Sequence, residues 1–304
     1  MKRRRVSWGG AVWVGLLCLG GMALGEEPQP PASKLGHPFL CADYGAGKVC
    51  LVNKDGQIEW EHKARGPQDV WLLANGNILF TYAKGVMEVT REKKLVWEYK
   101  TDPANEVHAC QPLPDGVVMV AESGPCRLIE VDREGKILKE VKLTTNCKNT
   151  HGQMRGARKL ANGNYLVGQY SDGVVREYDA AGKIVWEFKQ KNAFGGYRLA
   201  NGNTLVSTGD AHKLLEVDPQ GKVVWEINEN DLPGNPLRFV AGVERLANGN
   251  TVICNWGGHG HVGKQPQLVE VAPDKSIVSQ LFDNAQFKTI SGVCILDAGE
   301  GSVR

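Results

Sequence analysis

Helical periodicity is what this sequence most plainly lacks. Beyond residue 25 no segment carries the 3.6-residue apolar spacing of a long amphipathic helix, which excludes helical bundles and alternating strand–helix sheets. Neither sign of charge dominates: 36 Lys and Arg stand against 34 Asp and Glu, a net charge of +2. Four of the basic residues, Lys2, Arg3, Arg4 and Arg5, precede the first apolar run, and the chain after Gly25 carries a formal charge of −2. That balance supplies no field for nucleic acid or an anionic membrane surface. The apolar run Val12–Leu19 is too short and too close to glycines for a bilayer span. Gly-x-Ser-x-Gly, a phosphate-binding loop and His-Glu-x-x-His are all missing, and the chemistries they mark go with them. No cofactor is expected.

What is present is a phrase that returns. Leu-Ala-Asn-Gly-Asn occurs at residues 73–77, 160–164, 199–203 and 246–250, with worn copies starting at Leu113 and Leu296. The turn glycines, Gly76, Gly116, Gly163, Gly202, Gly249 and Gly299, are 40, 47, 39, 47 and 50 residues apart. A period of that length, built from strand signals, predicts radial repetition. In the fifth unit the strands read as Tyr197–Leu199, Thr204–Ser207, Lys213–Asp218 and Val223–Ile227, with Asn and Gly supplying the turns. Four antiparallel strands in this length make one propeller blade.

A second motif accompanies the first. The segment from Asp179 to Trp186 recurs from Asp218 to Trp225, with relatives ending at Trp60 and Trp97; Asp132–Lys139 has lost the tryptophan. One large ring per blade on an outer strand reads as a structural staple rather than a cofactor box. The acids that follow, Glu61, Glu98, Glu187 and Glu226, read as solvated edge charges. The units count to six. The first lacks an opening strand near residue 37, and the orphan strand Thr289–Leu296 fits the vacancy. The expected fold is therefore all-β: a six-bladed β-propeller over residues 37–304, closed by the C-terminal strand completing the N-terminal blade.

Residues 1–25 have the basic, apolar and small-residue order of a secretory signal peptide, and 26–36 form a Pro-rich linker expected to be mobile. A secreted or periplasmic location follows, with no membrane span after cleavage. Seven cysteines remain beyond the leader. Cys41 and Cys50 flank a turn at Gly45-Ala46 symmetrically, which places them opposite each other and predicts a disulfide. Cys110, Cys126 and Cys147 are expected near one end of blades three and four, and Cys254 and Cys294 at the seam of blades six and one.

The Leu-x-Asn-Gly-Asn turns and Asp-x-x-Gly-Lys-x-x-Trp-Glu strands together resemble the quinoprotein-like (PQQ-like) propeller repeats. They look closest to the repeats of bacterial arylsulfotransferases and their short secreted relatives. The resemblance covers nearly the whole chain after the leader. It implies a propeller, and it points to a mouth histidine that carries a sulfuryl group beside an arginine. His108 stands before its turn as the family histidine does, and His151 and Arg155 are its neighbours in that reading. Two features depart from the family. The spacing from Asp179 to Trp186 is one residue shorter than the quinoprotein docking motif, and the chain has no room for the sulfotransferases' extra domain. A bound quinone is not expected.

Propeller ligands sit at one mouth of the central channel, formed by the loops leading into each inner strand and the loops joining second to third strands. The repeat register assigns His62, His108 and His151 to the first kind of loop and His212, His259 and His261 to the second, all on one face, with His37 outside the set. Eight positions before each turn glycine stand Gln68, His108, Arg155, Phe194, Ala241 and Ser291, expected to ring the channel; the next position is mostly small, as strands crowding an axis require. His108, His151, Arg155 and Arg158 suit an anion, although Arg155 is equally placed to bridge Asp69 or Glu106. The glycine-rich loop Asn255–Gly263, with Trp256, His259 and His261, reads as a flap. Its His-x-His pair lacks a third ligand, and no metal is expected. The chain thus reads as an exported monomeric propeller binding a small, anionic ligand, a glycan or a protein at its mouth. The alternatives are an arylsulfotransferase-like enzyme and a purely structural interaction module.

Overall fold

The computed structural model describes residues Ser33–Arg304; the expected leader, and the linker up to residue 32, lie outside the described residues. Six four-stranded antiparallel sheets stand around an axis; in five of them the earliest strand in sequence is innermost, and in blade 1 the last strand of the chain takes that place. The inner strands are Ile290–Ile295 for blade 1, then Val70–Leu72, Glu106–Pro112, Ala157–Lys159, Gly195–Arg198 and Val240–Arg245. Blade 1 is closed as the repeat predicts: Ile290–Ile295 pairs with Phe39–Asp43, matching Phe39 to Ile295 and Leu40 to Cys294. Asp43 locks the joint. Its buried carboxylate accepts the amides of Ala46, Lys288 and Thr289 at 3.0, 2.8 and 2.9 Å.

The repeated phrase has a mechanical reason. Each turn glycine takes a left-handed backbone, as Gly76 does at φ +82°. The second asparagine reaches past the turn to an acid on the third strand: Asn164 to Glu177 at 2.7 Å, Asn203 to Glu216 and Asn250 to Glu270 at 2.8 Å. The same acids hold a cation from the next blade, as in Arg198–Glu177 at 2.8 Å and Arg245–Glu216 at 3.2 Å, with Lys159–Glu130 at 2.6 Å as the variant in blade 3. At the first seam Leu51 and Leu72 take those two places and pack in one apolar cluster. The tryptophans add a second tie. The indole N–H donates to a turn carbonyl of the next blade, Trp60 to Arg91, Trp97 to Asp132, Trp186 to Pro219 and Trp225 to Pro273, at 2.8 to 3.1 Å.

The channel walls are backbone against backbone. A side chain at Gly292 would strike the carbonyl of Gln68, and one at Gly242 would lie 2.8 Å from the carbonyl oxygen of Ser291. At the far end the chain turns beneath the ring, Val303 bridges Arg245, and Arg304 enters the channel. There Arg304 stacks 3.8 Å from the Trp71 ring centre and bonds Asp69 and the Val70 carbonyl, while Arg158 grips Asp69 at 2.7 Å.

Two expectations need correcting. Ser33–Gly36 is not loose: Ser33 bridges Phe282, and Leu35 is buried in the core. Cys41 and Cys50 are register partners, yet both are free, buried thiols. Burial raises Cys41 well above the ordinary thiol range, and its hydrogen bond to Cys50 adds to the shift. Opposed positions give proximity, and the two thiols meet there in a hydrogen bond rather than a covalent bond. Among the described residues no helix is long and apolar enough to cross a membrane.

Candidate functional site

A cavity of about 130 Å³ opens at the mouth, lined by Tyr44, Gln68, His151, Arg155, Tyr170, Phe194, Phe239, Trp256, His259 and Ser291. Tyr44, Tyr170 and Trp256 each follow directly on the second strand of their blade. The last residue of those strands is polar and buried and pins a neighbouring loop. Asn255 receives the amides of Arg238 and Phe239 and donates to the carbonyls of Pro236 and Pro266; Asp43 holds Lys288 and Thr289. The aromatic rings therefore stand on rigid posts. Phe239 sits at their centre, 4.9 Å from Trp256, 5.7 Å from Phe194 and 6.1 Å from Tyr170 between ring centres. Gly258 underlies the Trp256 ring so closely that any side chain there would displace the indole.

Arg155 is the polar pole of this cup. Its guanidinium lies 5.7 Å from the Tyr170 ring centre, and Nη1 is 3.4 Å from both nitrogens of His108. Among the described residues it is the only arginine outside the exposed class that has no ion pair, whereas Arg127, Arg133, Arg158, Arg176, Arg198, Arg238, Arg245 and Arg304 each have one. Neither acid weighed for it makes an ion pair with it. Asp69 pairs with Arg158 and Arg304, and Glu106 with two histidines. Burial pulls its pKa below the usual arginine value, opposed by Glu106, Tyr170 and Tyr44.

Beside the cup, Glu106 Oε2 stands 2.9 Å from His108 Nε2 and 2.7 Å from His151 Nδ1. The His108 hydrogen bond is the main cause holding the Glu106 carboxyl down at about 2, against burial. Burial lowers His108 to about 4, with Glu106 opposing and Arg155 assisting. These three residues are a group able to hold a metal ion, their ligand atoms lying within 4.8 Å of one another. The expectation of no metal weighed the His-x-His pair and did not count Glu106 among the residues of this face.

The cavity gathers Gln68, His151, Arg155, Trp256 and His259 from the residues expected at the mouth. It leaves out four. His108 is buried beneath it, with Nδ1 on the Met154 carbonyl at 2.7 Å and Nε2 on Glu106, so neither nitrogen faces a substrate. Arg158 is deeper, on Asp69. His212 pairs with Glu229, which Arg238 also holds. His261 lines no part of the cavity. His62 lies in the outer strand Ile58–Lys63, 5.4 Å from the Phe80 ring centre. Asp210 was not foreseen: it ties Tyr170 at 2.5 Å and His259 at 2.8 Å, joining three blades at the rim.

A ring of six wedges with one open, aromatic-walled mouth and a sealed opposite end defines a cup-like six-bladed β-propeller. The profile of the Mal s 1 allergenic protein-like family matches residues 39–276, and the chain belongs to that family. A protein of unknown function from Bacteroides caccae is 34% identical, with a TM-score of 0.79 over 86% of this chain and 99% of that one. A streptogramin B lyase is 13% identical at TM-score 0.58, covering 91% of this chain and 95% of its own. The virginiamycin B lyase of Staphylococcus aureus is 14% identical at TM-score 0.57, with 88% and 94% covered. At such identities the lyases share the fold alone. No curated protein matches the chain.

Proposed function

We propose that this is an exported binding protein whose mouth takes a small ligand with a flat apolar body and one anionic group, a carboxylate or a sulfate. The lone cation Arg155 carries the reading. A desolvated guanidinium with no carboxylate in ion-pair contact, set under rings contributed by four blades, is stabilised by an incoming oxyanion, and the rings accept the ligand's body. The unmatched charge is what a purely structural module has no use for. The order of residues 1–25 supports export. The protein recovered from periplasm or medium is expected to begin at Glu26; an intact mass that retains the leader overturns that part.

Calorimetric titration with 4-nitrophenyl sulfate and benzoate, against neutral 4-nitroanisole, tests the site. The anions are expected to bind more tightly, and Arg155→Met to remove the advantage, a loss of roughly 10- to 100-fold for a charge-assisted bond of about 1.5–3 kcal/mol. Equal affinity for the neutral compound, or an unchanged affinity in the variant, overturns the reading. Sulfuryl transfer is the alternative for the same cavity, and release of 4-nitrophenol from the sulfate after phenol is added as acceptor reports it. It has less support, because His108 is buried beneath the cavity and does not line it, and Nδ1 of His151 is taken by Glu106.

A further inference from the structure

We propose that Glu106, His108 and His151 form a binding site for a divalent transition-metal ion of the zinc class, at the rim between blades 3 and 4. The backbone builds the site on purpose-made irregularities. In the inner strand Glu106–Pro112 the pairing runs from Val107–Glu122 to Ala109–Ala121, so His108 is the extra residue of a β-bulge. A bulge re-aims one side chain without ending the strand. It turns the ring of His108 toward the loop ahead of blade 4, where the 3-10 turn Thr150–Gly152 presents His151. The two rings stand edge to face, 5.4 Å apart at 86°, and both meet a single carboxylate oxygen.

Hydrogen-bond polarity then identifies what is missing. The Met154 carbonyl can only accept, so His108 Nδ1 at 2.7 Å carries the hydrogen. In the neutral ring that tautomer leaves Nε2 a lone pair that faces another acceptor, Glu106 Oε2, at 2.9 Å, with Arg155 Nη1 at 3.4 Å as its one long donor contact. His151 Nδ1 faces the same carboxylate oxygen at 2.7 Å. With the hydrogen of His151 on its other nitrogen, the three ligand atoms are all Lewis-basic, and one cation would satisfy all three. The bond from the remote nitrogen of His108 to a backbone carbonyl is the outer support that metal-bound histidines ordinarily have.

Zinc bonds of about 2.0–2.1 Å at tetrahedral angles set ligand atoms roughly 3.3 Å apart, so the two short pairs need to open by about half an ångström and the two histidine nitrogens, in a set spanning up to 4.8 Å, need to draw together. His151 can supply that movement, since its side chain is 50% exposed on a short turn, whereas His108 is fixed at 2%. A cleft lined by Arg65, Gln68 and Lys84 reaches the three ligands from solvent. Two imidazoles and one carboxylate favour zinc, cobalt, nickel or iron over magnesium and calcium, which take oxygen ligands. The other histidine–acid pairs at this face do not compete. His212–Glu229 already holds Arg238, and His259–Asp210 has one histidine and a tyrosine.

The test uses the untagged full chain stripped with EDTA and titrated with Co²⁺ alone, read by its visible absorption, then with Zn²⁺ in competition. One equivalent is expected to bind at micromolar concentration, displaced by Zn²⁺ and not by Mg²⁺. His151→Ala and Glu106→Gln are each expected to weaken binding by at least roughly tenfold, while His212→Ala leaves it unchanged. His151 is exposed, so its variant folds and the test does not depend on removing buried His108. No binding below about 100 µM, binding that survives both variants, or displacement by Mg²⁺ at equal concentration each overturns the site. The anion-binding reading fails or stands separately, on Arg155→Met.

Discussion

Deleting Thr289–Arg304 is expected to abolish cooperative folding. The deletion removes the inner strand Ile290–Ile295 and opens the sheet edge at Phe39–Asp43. Ile290, Val293 and Ile295 are buried in the core shared by blades 6 and 1, and each contributes about 1.5–3 kcal/mol through burial. Their sum rivals the roughly 5–15 kcal/mol that holds a domain folded. The exposed edge then becomes a template for pairing between chains. Urea melts followed by circular dichroism, with size-exclusion chromatography, should show no sharp transition and an aggregated product. Asp43→Ala tests the same joint more gently. It orphans one buried and two part-buried amides and should cost about 2 kcal/mol. A truncated chain melting cooperatively at the original midpoint would mean that the ring stands without its clasp.

Two arginines three residues apart should respond unequally. Arg158→Met is expected to lose about 3–5 kcal/mol of stability, because it strips buried Asp69 of a two-pronged partner at 2.7 and 3.2 Å. Arg304 remains on the same carboxylate but reaches it at only 3.3 Å. Arg155→Met removes a cation that no carboxylate meets in an ion pair, only the longer-range field of Glu106, so its desolvation cost disappears with little lost in return, and stability should change by less than about 1 kcal/mol. Urea midpoints for both variants at unchanged m-values decide it. Equal losses would mean that Arg155 is held by the fold as firmly as Arg158, and the ligand reading would lose its foundation.

The architecture was readable because its signals are local and periodic. Leu-Ala-Asn-Gly-Asn states a turn chemistry, and its recurrence states the number of blades; the vacancy before Phe39 and the orphan strand at Thr289 state the closure. The tryptophan staple was readable for the same reason. Register also placed Gln68, Arg155, Phe194 and Ser291 at one level of the channel, and they line the cavity. What stayed hidden depends on partners from different blades. Spacing cannot show that Asp69 goes to Arg158, leaving Arg155 without an ion pair, since that choice is made across the axis. Glu106 and Asp210 lie outside the repeated phrases, and each acquires its role by meeting a side chain at least 40 residues away, His151 for Glu106 and Tyr170 for Asp210. His108 was placed at the correct level but buried, because the bulge that turns it sideways has no signature in the spacing.

The closed floor made by Arg304, Asp69, Arg158 and Trp71 has a kinetic meaning. A molecule with a bore from end to end could pass solutes through; here that end of the axis is filled by side chains. Whatever settles against Phe239 comes and goes on the side of the rim rings. Residence time and arrival rate are thus governed by the same few rim residues, and a side chain at Gly258, which would displace the Trp256 indole, should change both together.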